Sequence, residues 1–254
     1  ARGGDVPLRR AFQPGQLLPG DRHRDAQAGP RPRRERRRRG GSVAVAQDGK
    51  VLASRDLESD KHVHAEKVNV FVAEVLEQAG LTLNDLDAVA VGIGPGSYTG
   101  LRIGLSAAKG LCFALDIPII GISTLGTLVS SANANAMDQV MRWPMIDARR
   151  MEVFSQPFDD HGNATDAPAP LVIDTDWAHA RGAAVVFGDG ADKASEVWSA
   201  VSSIVHLPGI RPRASAMVPE AMQRFERGEF DDLAYLVPEY GKAANVTQPK
   251  KRGI

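Results

Sequence analysis

The segment 100–115 is apolar around almost its whole circumference when it is wound as a helix. Its polar residues, Arg102, Ser106 and Lys109, are spaced i, i+4 and i+7, so they form one narrow stripe. One apolar face consists of Leu101, Leu105, Ala108, Cys112 and Leu115. A second apolar face consists of Ile103, Ala107, Leu111 and Ala114. A helix of this kind must be covered on more than one side, by a sheet on one face and by other protein on the next.

The pattern around this helix repeats along the chain. A hairpin signal at Asp48-Gly49 precedes a helix, a strand, the helix 100–115 and another strand, and a second hairpin around Ala148-Arg149-Arg150 opens a similar series. Hairpins followed by crossover helices predict a mixed sheet with helices on its faces. Two such halves resemble the actin-like (ASKHA, ribonuclease H-like) α/β fold with two lobes. We place the lobes at 43–134 and 135–240, with a polar basic tail at 241–254.

The first 42 residues have a different composition from the rest of the chain. They hold 12 arginines, 4 acidic residues and no lysine, and they show no helical or strand periodicity. We expect order to begin at Ser42. Translation of a GC-rich gene out of frame gives such a composition, and we favour that interpretation. The alternatives are a disordered tail and a basic arm that binds RNA.

Composition narrows the class of protein. Residues 43–254 hold 19 basic and 27 acidic residues, a net charge of −8, which disfavours tight autonomous binding of nucleic acid. Cys112 is the single cysteine, so the chain has no intrachain disulfide and no cysteine-cluster zinc site. No apolar run is long enough to span a membrane, and no signal peptide is recognisable. We therefore expect a cytoplasmic protein.

The eleven residues from Gly94 to Gly104 resemble the signature of the TsaB (YeaZ) family. Three further segments agree with that family in order along the chain, and the similarity covers about residues 43–252. These segments are His64-Ala65-Glu66-Lys67, Asp147-Ala148-Arg149-Arg150-Met151-Glu152-Val153 and Phe187-Gly188-Asp189-Gly190-Ala191.

The resemblance implies a function in tRNA modification. Members of the family pair with TsaD, a paralogue of the same fold that carries the metal and the catalytic site. Together with the TsaE ATPase they attach threonylcarbamoyl to the adenosine beside the anticodon of tRNAs that read ANN codons. The resemblance therefore implies a non-catalytic dimerisation subunit that binds no metal or ATP itself, meets tRNA through the complex, and can also form a homodimer.

One departure from the family pattern concerns the first strand. The family begins with an apolar strand at the centre of the sheet, and nothing in residues 1–42 matches it. A missing central strand would leave its neighbours' N–H and C=O groups buried without partners. We expect that the sequence misrepresents the native N-terminus or that a poor substitute strand fills the gap.

The second apolar face of the helix 100–115 is the predicted partner surface. The family pairs through two helices from each subunit, and the helix 64–79 also carries apolar residues outside its main stripe. We predict an interface of Val70, Phe71, Ile103, Gly104, Ala107, Leu111 and Ala114. The alternative is that the C-terminal half of the same chain covers this face.

The Gly-rich loop before the helix has two interpretations. It consists of Gly94, Pro95, Gly96, Ser97, Tyr98, Thr99 and Gly100. A loop that opens a helix suits a phosphate or a nucleotide. The favoured alternative is a tight turn that packs the helix on the sheet, with Ser97 or Thr99 as its cap. The Gly-Lys-Ser/Thr sequence of a Walker loop is absent.

No catalytic constellation can be assembled from the sequence. His62 and His64 could share a face and hold a metal, but surface histidines are the favoured interpretation. Bulky side chains at Arg149 and Arg150 prevent the second hairpin from wrapping a phosphate. These two arginines and Arg102 are candidates for contacts with tRNA phosphate or an acidic partner. The competing functions are an actin-fold ATP-binding phosphotransferase and, less favoured, a metal-dependent peptidase.

Overall fold

A computed structural model describes residues 11–14, 39–59, 64–132 and 140–241, with side chains at 41–56, 67–132 and 140–241. The first lobe contains β1 (Ala11–Pro14), β2 (Arg39–Gln47), β3 (Lys50–Ser59), α1 (His64–Gln78), β4 (Ala88–Gly94), α2 (Tyr98–Leu115), β5 (Ile119–Ser123) and α3 (Thr124–Ala132). The second contains β6 (Met141–Asp147), β7 (Glu152–Ser155), β8 (Ala169–Val172), α4 (Thr175–His179), β9 (Ala184–Phe187), α5 (Asp189–Asp192), α6 (Ser195–Ser199), β10 (Ile204–Leu207) and α7 (Val218–Glu226). The predicted lobe boundary at 134 and the tail beyond 241 lie outside the described residues.

The two five-stranded sheets have the same topology. Their strand orders are β3-β2-β1-β4-β5 and β8-β7-β6-β9-β10. In each sheet the central strand is antiparallel to a hairpin strand on one side and parallel to two crossover strands on the other. This repetition confirms the predicted duplicated, mixed α/β fold of the actin-like class.

The strand β1 corrects the expectation that order begins at Ser42. It lies at the centre of the first sheet, where it pairs with four residues of β2 and two of β4. The strand β2 also starts earlier than expected, at Arg39. A short segment therefore supplies the backbone partners that a central position demands, as in the substitute-strand alternative. Residues 1–10 and 15–38 lie outside the described residues, and the reading-frame hypothesis stays a prediction.

Local sequence signals explain most of the first lobe. Asp48 and Gly49 take positive φ values of 51° and 76°, as the tight turn between β2 and β3 requires. Helix α1 ends before Gly80, which has a φ of 68°. Thr82 followed by Asp85 predicts a short capped turn, and the carboxylate of Asp85 accepts hydrogen bonds from the backbone and hydroxyl of Thr82, at 2.9 Å each.

The residue pattern of the second half predicts a loop at 159–170 and helices at 191–201 and 215–227. The second lobe differs from these predictions in three places. The predicted loop 159–170 runs into β8, and α4 follows it. The predicted helix 191–201 is two short helices, α5 and α6. It is interrupted at Lys193 and Ala194, because the side chains of both residues are buried in the second lobe. The predicted helix 215–227 begins as a 3-10 helix, Ala214–Met217, before α7.

Helix α3 joins the cores of the two lobes. Leu125 and Leu128 are fully buried in a cluster that includes Ile146 and Phe187 of the second sheet. Two hydrogen bonds also link the lobes, from Ala214 N to Ser42 Oγ at 2.7 Å and from Arg213 N to Ser131 Oγ at 3.3 Å. The lobes therefore share packing as well as polar contacts.

Candidate functional site

The Gly-rich loop forms a tight turn from β4 into α2. Ser97 lies at the N-cap of α2, and its Oγ accepts a hydrogen bond from Gly100 N at 3.2 Å. Gly94 has a φ of 126°, a conformation that side chains of L-amino acids rarely adopt. The geometry accounts for the loop as a helix start, and the phosphate interpretation stays a prediction.

After α7 the chain returns to the first lobe as residues 229–241, the C-terminal strap. Its first anchor is Asp231, whose N–H donates to Ile119 O at 3.0 Å along the edge of β5. The carboxylate of Asp231 accepts from Gly121 N at 2.7 Å and pairs with Arg224 at 3.1 Å. Leu233 and Leu236 pack against the core of the first lobe. The strap therefore covers the edge of the sheet that β5 would otherwise expose.

The last residues of the strap cross between the lobes. Glu239 N donates to Ile93 O at 2.7 Å, and a Cβ placed on Gly94 would overlap the carbonyl oxygen of Glu239. A Cβ placed on Gly241 would in turn meet the ring of Phe154 in β7 at 2.7 Å. The strap thus passes close to the Gly-rich loop of one lobe and the hairpin strand of the other.

The polar stripe of α2 faces the strap. Arg102 Nε donates to the hydroxyl of Tyr240 at 2.8 Å, and its guanidinium lies 4.1 Å from the centre of the Tyr98 ring. The rings of Tyr98 and Tyr240 stack at 4.6 Å. The hydrogen bond to Tyr240 raises the pKa of Arg102. Lys109 donates to Ala234 O at 3.1 Å. The predicted phosphate contact of Arg102 stays a prediction, since its guanidinium already has a partner within the chain.

The second apolar face of α2 lies beside α1 and is only partly covered. Val70 is 51% exposed, and Ala114 is also exposed. The remaining partly exposed members of the predicted surface are Phe71, Ile103, Ala107 and Leu111. Gly104 differs from them because it is buried within the chain. The hydrogen bonds between the strap and α2 go to the polar stripe. The use of the half-exposed face as a partner surface stays a prediction.

Phe113 is a surface residue of α2 that the sequence argument left out. Its side chain is 82% exposed. The available signal was an aromatic residue that belongs to neither apolar face of the helix. Phe113 follows Lys109 by four residues and therefore lies in line with the polar stripe of α2, away from the half-exposed apolar face.

A small cavity lies between the lobes. It is lined by Ser42, Gly92, Thr124, Thr127, Pro212, Arg213, Ala214 and Met217. Its free volume is about 10 Å³, roughly the space of one water molecule. The hydroxyl of Thr124 is buried there without a hydrogen-bond partner among the described residues. A cavity of this size does not accommodate a nucleotide.

The hairpin between β6 and β7 is held by side chains of α5 and of the residue after it. The carboxylate of Asp189 accepts the N–H of Asp147 at 3.0 Å. The ammonium of Lys193, whose side chain is 6% exposed, contacts the carboxylate of Asp147 and the carbonyl of Glu152. At the tip, Arg149 and Arg150 are exposed and have positive φ values of 75° and 49°.

Neither a metal cluster nor a membrane-spanning helix is found in the described ranges. No group of three or more His, Cys, Asp or Glu residues could hold a metal there. His62 and the side chain of His64 lie outside those ranges, so the possible pair at these positions stays untested. None of the helices at 64–132 or 140–241 is both long and apolar enough to cross a bilayer. Burial raises the pKa of the Cys112 thiol to about 12, which makes it a poor nucleophile.

Comparison with known proteins places the chain among tRNA-modification proteins. Residues 54–178 match a family model described as TsaD: tRNA N6-adenosine threonylcarbamoyltransferase. The chain is 32% identical to the tRNA threonylcarbamoyladenosine biosynthesis protein TsaB of Escherichia coli over 209 residues, 78% of this chain and 88% of that protein.

Two further similarities are informative. The tRNA N6-adenosine threonylcarbamoyltransferase of Clostridium perfringens is 43% identical over 76 residues, 30% of this chain and 22% of that protein. The solved structure of YeaZ from Pseudomonas aeruginosa superposes with a TM-score of 0.68 at 23% identity, over 92% of this chain and 100% of that one. The fold is therefore that of YeaZ, and a stretch of 76 residues is also similar to a transferase.

Proposed function

Because the chain belongs to the TsaB family, we propose that it acts in tRNA threonylcarbamoyladenosine biosynthesis as the non-catalytic partner of a TsaD-type transferase. The observation that carries this proposal is the half-exposed apolar face that α2 shares with α1. A helix face of this composition gains free energy when a second subunit covers it. Sequence similarity to a transferase fits pairing between two related folds.

The interior of the chain supports assigning the chemistry to the partner. Residues 239–241 cross between the lobes, and a separate cavity lined by Ser42, Thr124 and Met217 has the volume of about one water molecule. The backbone N–H of Asp147, at the second hairpin, is already bonded to Asp189. We therefore assign ATP and the metal to partner subunits, the transferase and a TsaE-type ATPase, and contact with tRNA to the assembled complex.

The proposed interface consists of the two helices of the first lobe. Val70 and Phe71 lie on α1, and Ile103, Ala107, Leu111 and Ala114 lie on α2. Gly104 is buried beneath them and has no side chain, so a second helix can approach α2 closely at this position. In the absence of the transferase, a second copy of this chain could cover the same face, which would make a homodimer an alternative to the heterodimer.

The proposal is tested by co-expressing the chain with the TsaD-type paralogue and measuring assembly of the Leu111→Glu variant. A glutamate at the centre of an apolar interface is buried without a partner, which costs on the order of 3–5 kcal/mol. That cost raises the dissociation constant of the complex by roughly 100-fold or more. We expect titration calorimetry to show this loss.

A matched control is Val172→Glu on β8, because Val172 is also an exposed apolar residue, at 63%, but belongs to the second lobe. This variant should pair normally with the transferase. Normal pairing of Leu111→Glu would contradict the proposed interface. Tight binding of ATP by the isolated chain would instead favour the phosphotransferase function.

A further inference from the structure

Two adjacent arginines at the tip of the β6–β7 hairpin adopt a backbone conformation that favours glycine or asparagine. The φ values of Arg149 and Arg150 are 75° and 49°, and both residues are exposed. A non-glycine residue in this region costs about 1–3 kcal/mol and persists only where the surroundings enforce it. We call this pair the arginine tip.

The surroundings that enforce this conformation are on the second sheet. Arg149 N donates to the carboxylate of Asp147 at 2.9 Å. That carboxylate also contacts the buried ammonium of Lys193. Below the tip, Ala148 N donates to Glu152 O at 3.0 Å, and Glu152 N donates to Arg149 O at 3.0 Å. The hairpin therefore fixes the backbone from which both arginine side chains leave the surface.

The arginine tip differs from the other arginines of the described side chains. Every other arginine at 41–56, 67–132 and 140–241 is ion-paired, hydrogen-bonded, stacked on a ring or buried. The ion pairs are Arg55–Glu74, Arg211–Asp192, Arg213–Asp56, Arg224–Asp231 and Arg227–Glu229. Arg102 bonds to Tyr240, Arg181 lies over Trp143 and Trp177, and Arg142 is buried. Arg149 and Arg150 form no ion pair or ring contact with these residues.

The arginine tip places two guanidinium groups without an ion pair on an otherwise acidic protein. Residues 43–254 carry a net charge of −8, so most of the surface repels a polyanion. Planar guanidinium groups bind phosphate in bidentate geometry, and a rigid support reduces the entropy lost on binding. The arginine tip supplies this chemistry on the second lobe, whereas the proposed protein interface lies on α1 and α2 of the first.

We propose that Arg149 and Arg150 contact the phosphate backbone of the RNA substrate when this chain is assembled with its transferase. The inference rests on the proposed function and adds a direct RNA contact to it. A carboxylate-rich protein surface is the competing occupant, since carboxylates also fit the guanidinium fork. The second-lobe location favours RNA, because the transferase already has an apolar surface on the first lobe.

The test uses the complex of this chain with the transferase and measures tRNA affinity at several salt concentrations. The double variant Arg149→Asn with Arg150→Asn removes both charges and suits positive φ. Loss of two phosphate contacts should weaken binding about 10-fold at low salt and lower the salt slope by roughly 1.4–1.8. The melting temperature should stay the same or rise, because the strain at the tip is relieved.

Two controls separate charge from structure. The double variant Arg149→Lys with Arg150→Lys keeps both charges but not the bidentate fork, so it should keep the salt slope and lose less tRNA affinity than the double asparagine variant. Arg227→Asn removes an exposed arginine that pairs with Glu229, at 3.8 Å, and should leave the affinity and the salt slope unchanged.

The outcomes that would overturn the inference are distinct from failure of the proposed function. Unchanged tRNA affinity of the double asparagine variant, in a complex that binds tRNA normally, would remove only the RNA contact. Weaker pairing with the transferase or the ATPase at unchanged tRNA affinity would assign the tip to a protein partner. A wild-type complex that does not form would overturn both proposals together.

Discussion

In each half of the chain, one position at the end of a parallel strand requires glycine, which explains the Gly-rich loops there. Gly94 and Gly188 have φ values of 126° and 102°, and they lie at the ends of β4 and β9, the parallel neighbours of the two central strands. A Cβ on Gly94 would overlap Glu239 O, and a Cβ on Gly188 would overlap Met145 O. At both positions another stretch of backbone lies where a side chain would be. Close packing therefore requires these glycines even without a bound phosphate.

The substitution Gly94→Ala should lower the free energy of unfolding by about 3 kcal/mol or more, because it combines an unfavourable φ with a backbone overlap. The matched control is Gly110→Ala in α2, where an added Cβ meets no atom within 4 Å. That change should raise stability by about 0.5–1 kcal/mol, the usual gain from alanine in a helix. Urea unfolding followed by circular dichroism measures both. Equal stabilities of the two variants would contradict this account.

Among the elements, α2 combines three environments on one helix. Leu101, Leu105 and Ala108 are buried against the sheet, Arg102 and Lys109 bond to the strap, and Ile103 and Leu111 stay partly exposed beside α1. The sheet thus covers one apolar face of α2, and the other apolar face stays partly exposed.

The strap should depend on Asp231, which bonds to β5 through its backbone and its carboxylate. Asp231→Ala leaves Gly121 N without an acceptor and removes one of the two acceptors of Arg224, which also donates to Gly121 O at 2.6 Å. We expect a loss of about 1–3 kcal/mol in unfolding free energy. Glu229→Ala, at an exposed position with a 3.8 Å ion pair to Arg227, should change stability by less than about 0.5 kcal/mol. Differential scanning calorimetry compares the two. A similar melting temperature for both variants would mean that the strap does not depend on this contact.

Local signals and long-range contacts differ in how far the sequence predicts them. The turn at Asp48-Gly49, the helix α2 and the Ser97 cap follow from residue types at fixed spacing. The strand β8 escapes prediction because it is short and largely exposed, so it lacks an alternating pattern. The strap escapes it because its bonds join positions more than 100 residues apart. For the same reason, only the structure shows that the arginine tip has no ion pair or ring contact with the described side chains.

The whole molecule is a duplicated fold whose two halves have become unequal. Within the described residues both sheets share one strand order, but the two long helices with a half-exposed face lie on the first sheet, and the hydrogen bonds of the strap go to the first lobe. The lobes stay joined through the α3 cluster and the bonds to Ser42 and Ser131. We therefore expect them to unfold together.

Separate probes in each lobe can test this. The three tryptophans, Trp143, Trp177 and Trp198, pack in the core of the second lobe, and Cys112 is buried in that of the first. Tryptophan emission and alkylation of Cys112 should change at the same denaturant concentration. Two separate midpoints would show that the lobes are independent folding units.

Cys112 also gives a dependence on pH. Its pKa is about 12 in the folded chain against an ordinary value of 9.0, so the folded state holds the proton more tightly. The stability linked to this group is complete below pH 9 and is lost as pH rises from 9 towards 12. Cys112→Ala should therefore reduce the alkaline loss of stability, as measured by melting temperature between pH 8 and pH 10.

The route of the strap also has a consequence for synthesis on the ribosome. The amino-terminal lobe is translated first, yet it receives residues 231–240 from the far end of the second lobe to cover its edge strand and its longest helix. The lobe that emerges first therefore reaches its native state last, and nascent chains must keep an apolar edge unprotected until translation has passed Tyr240.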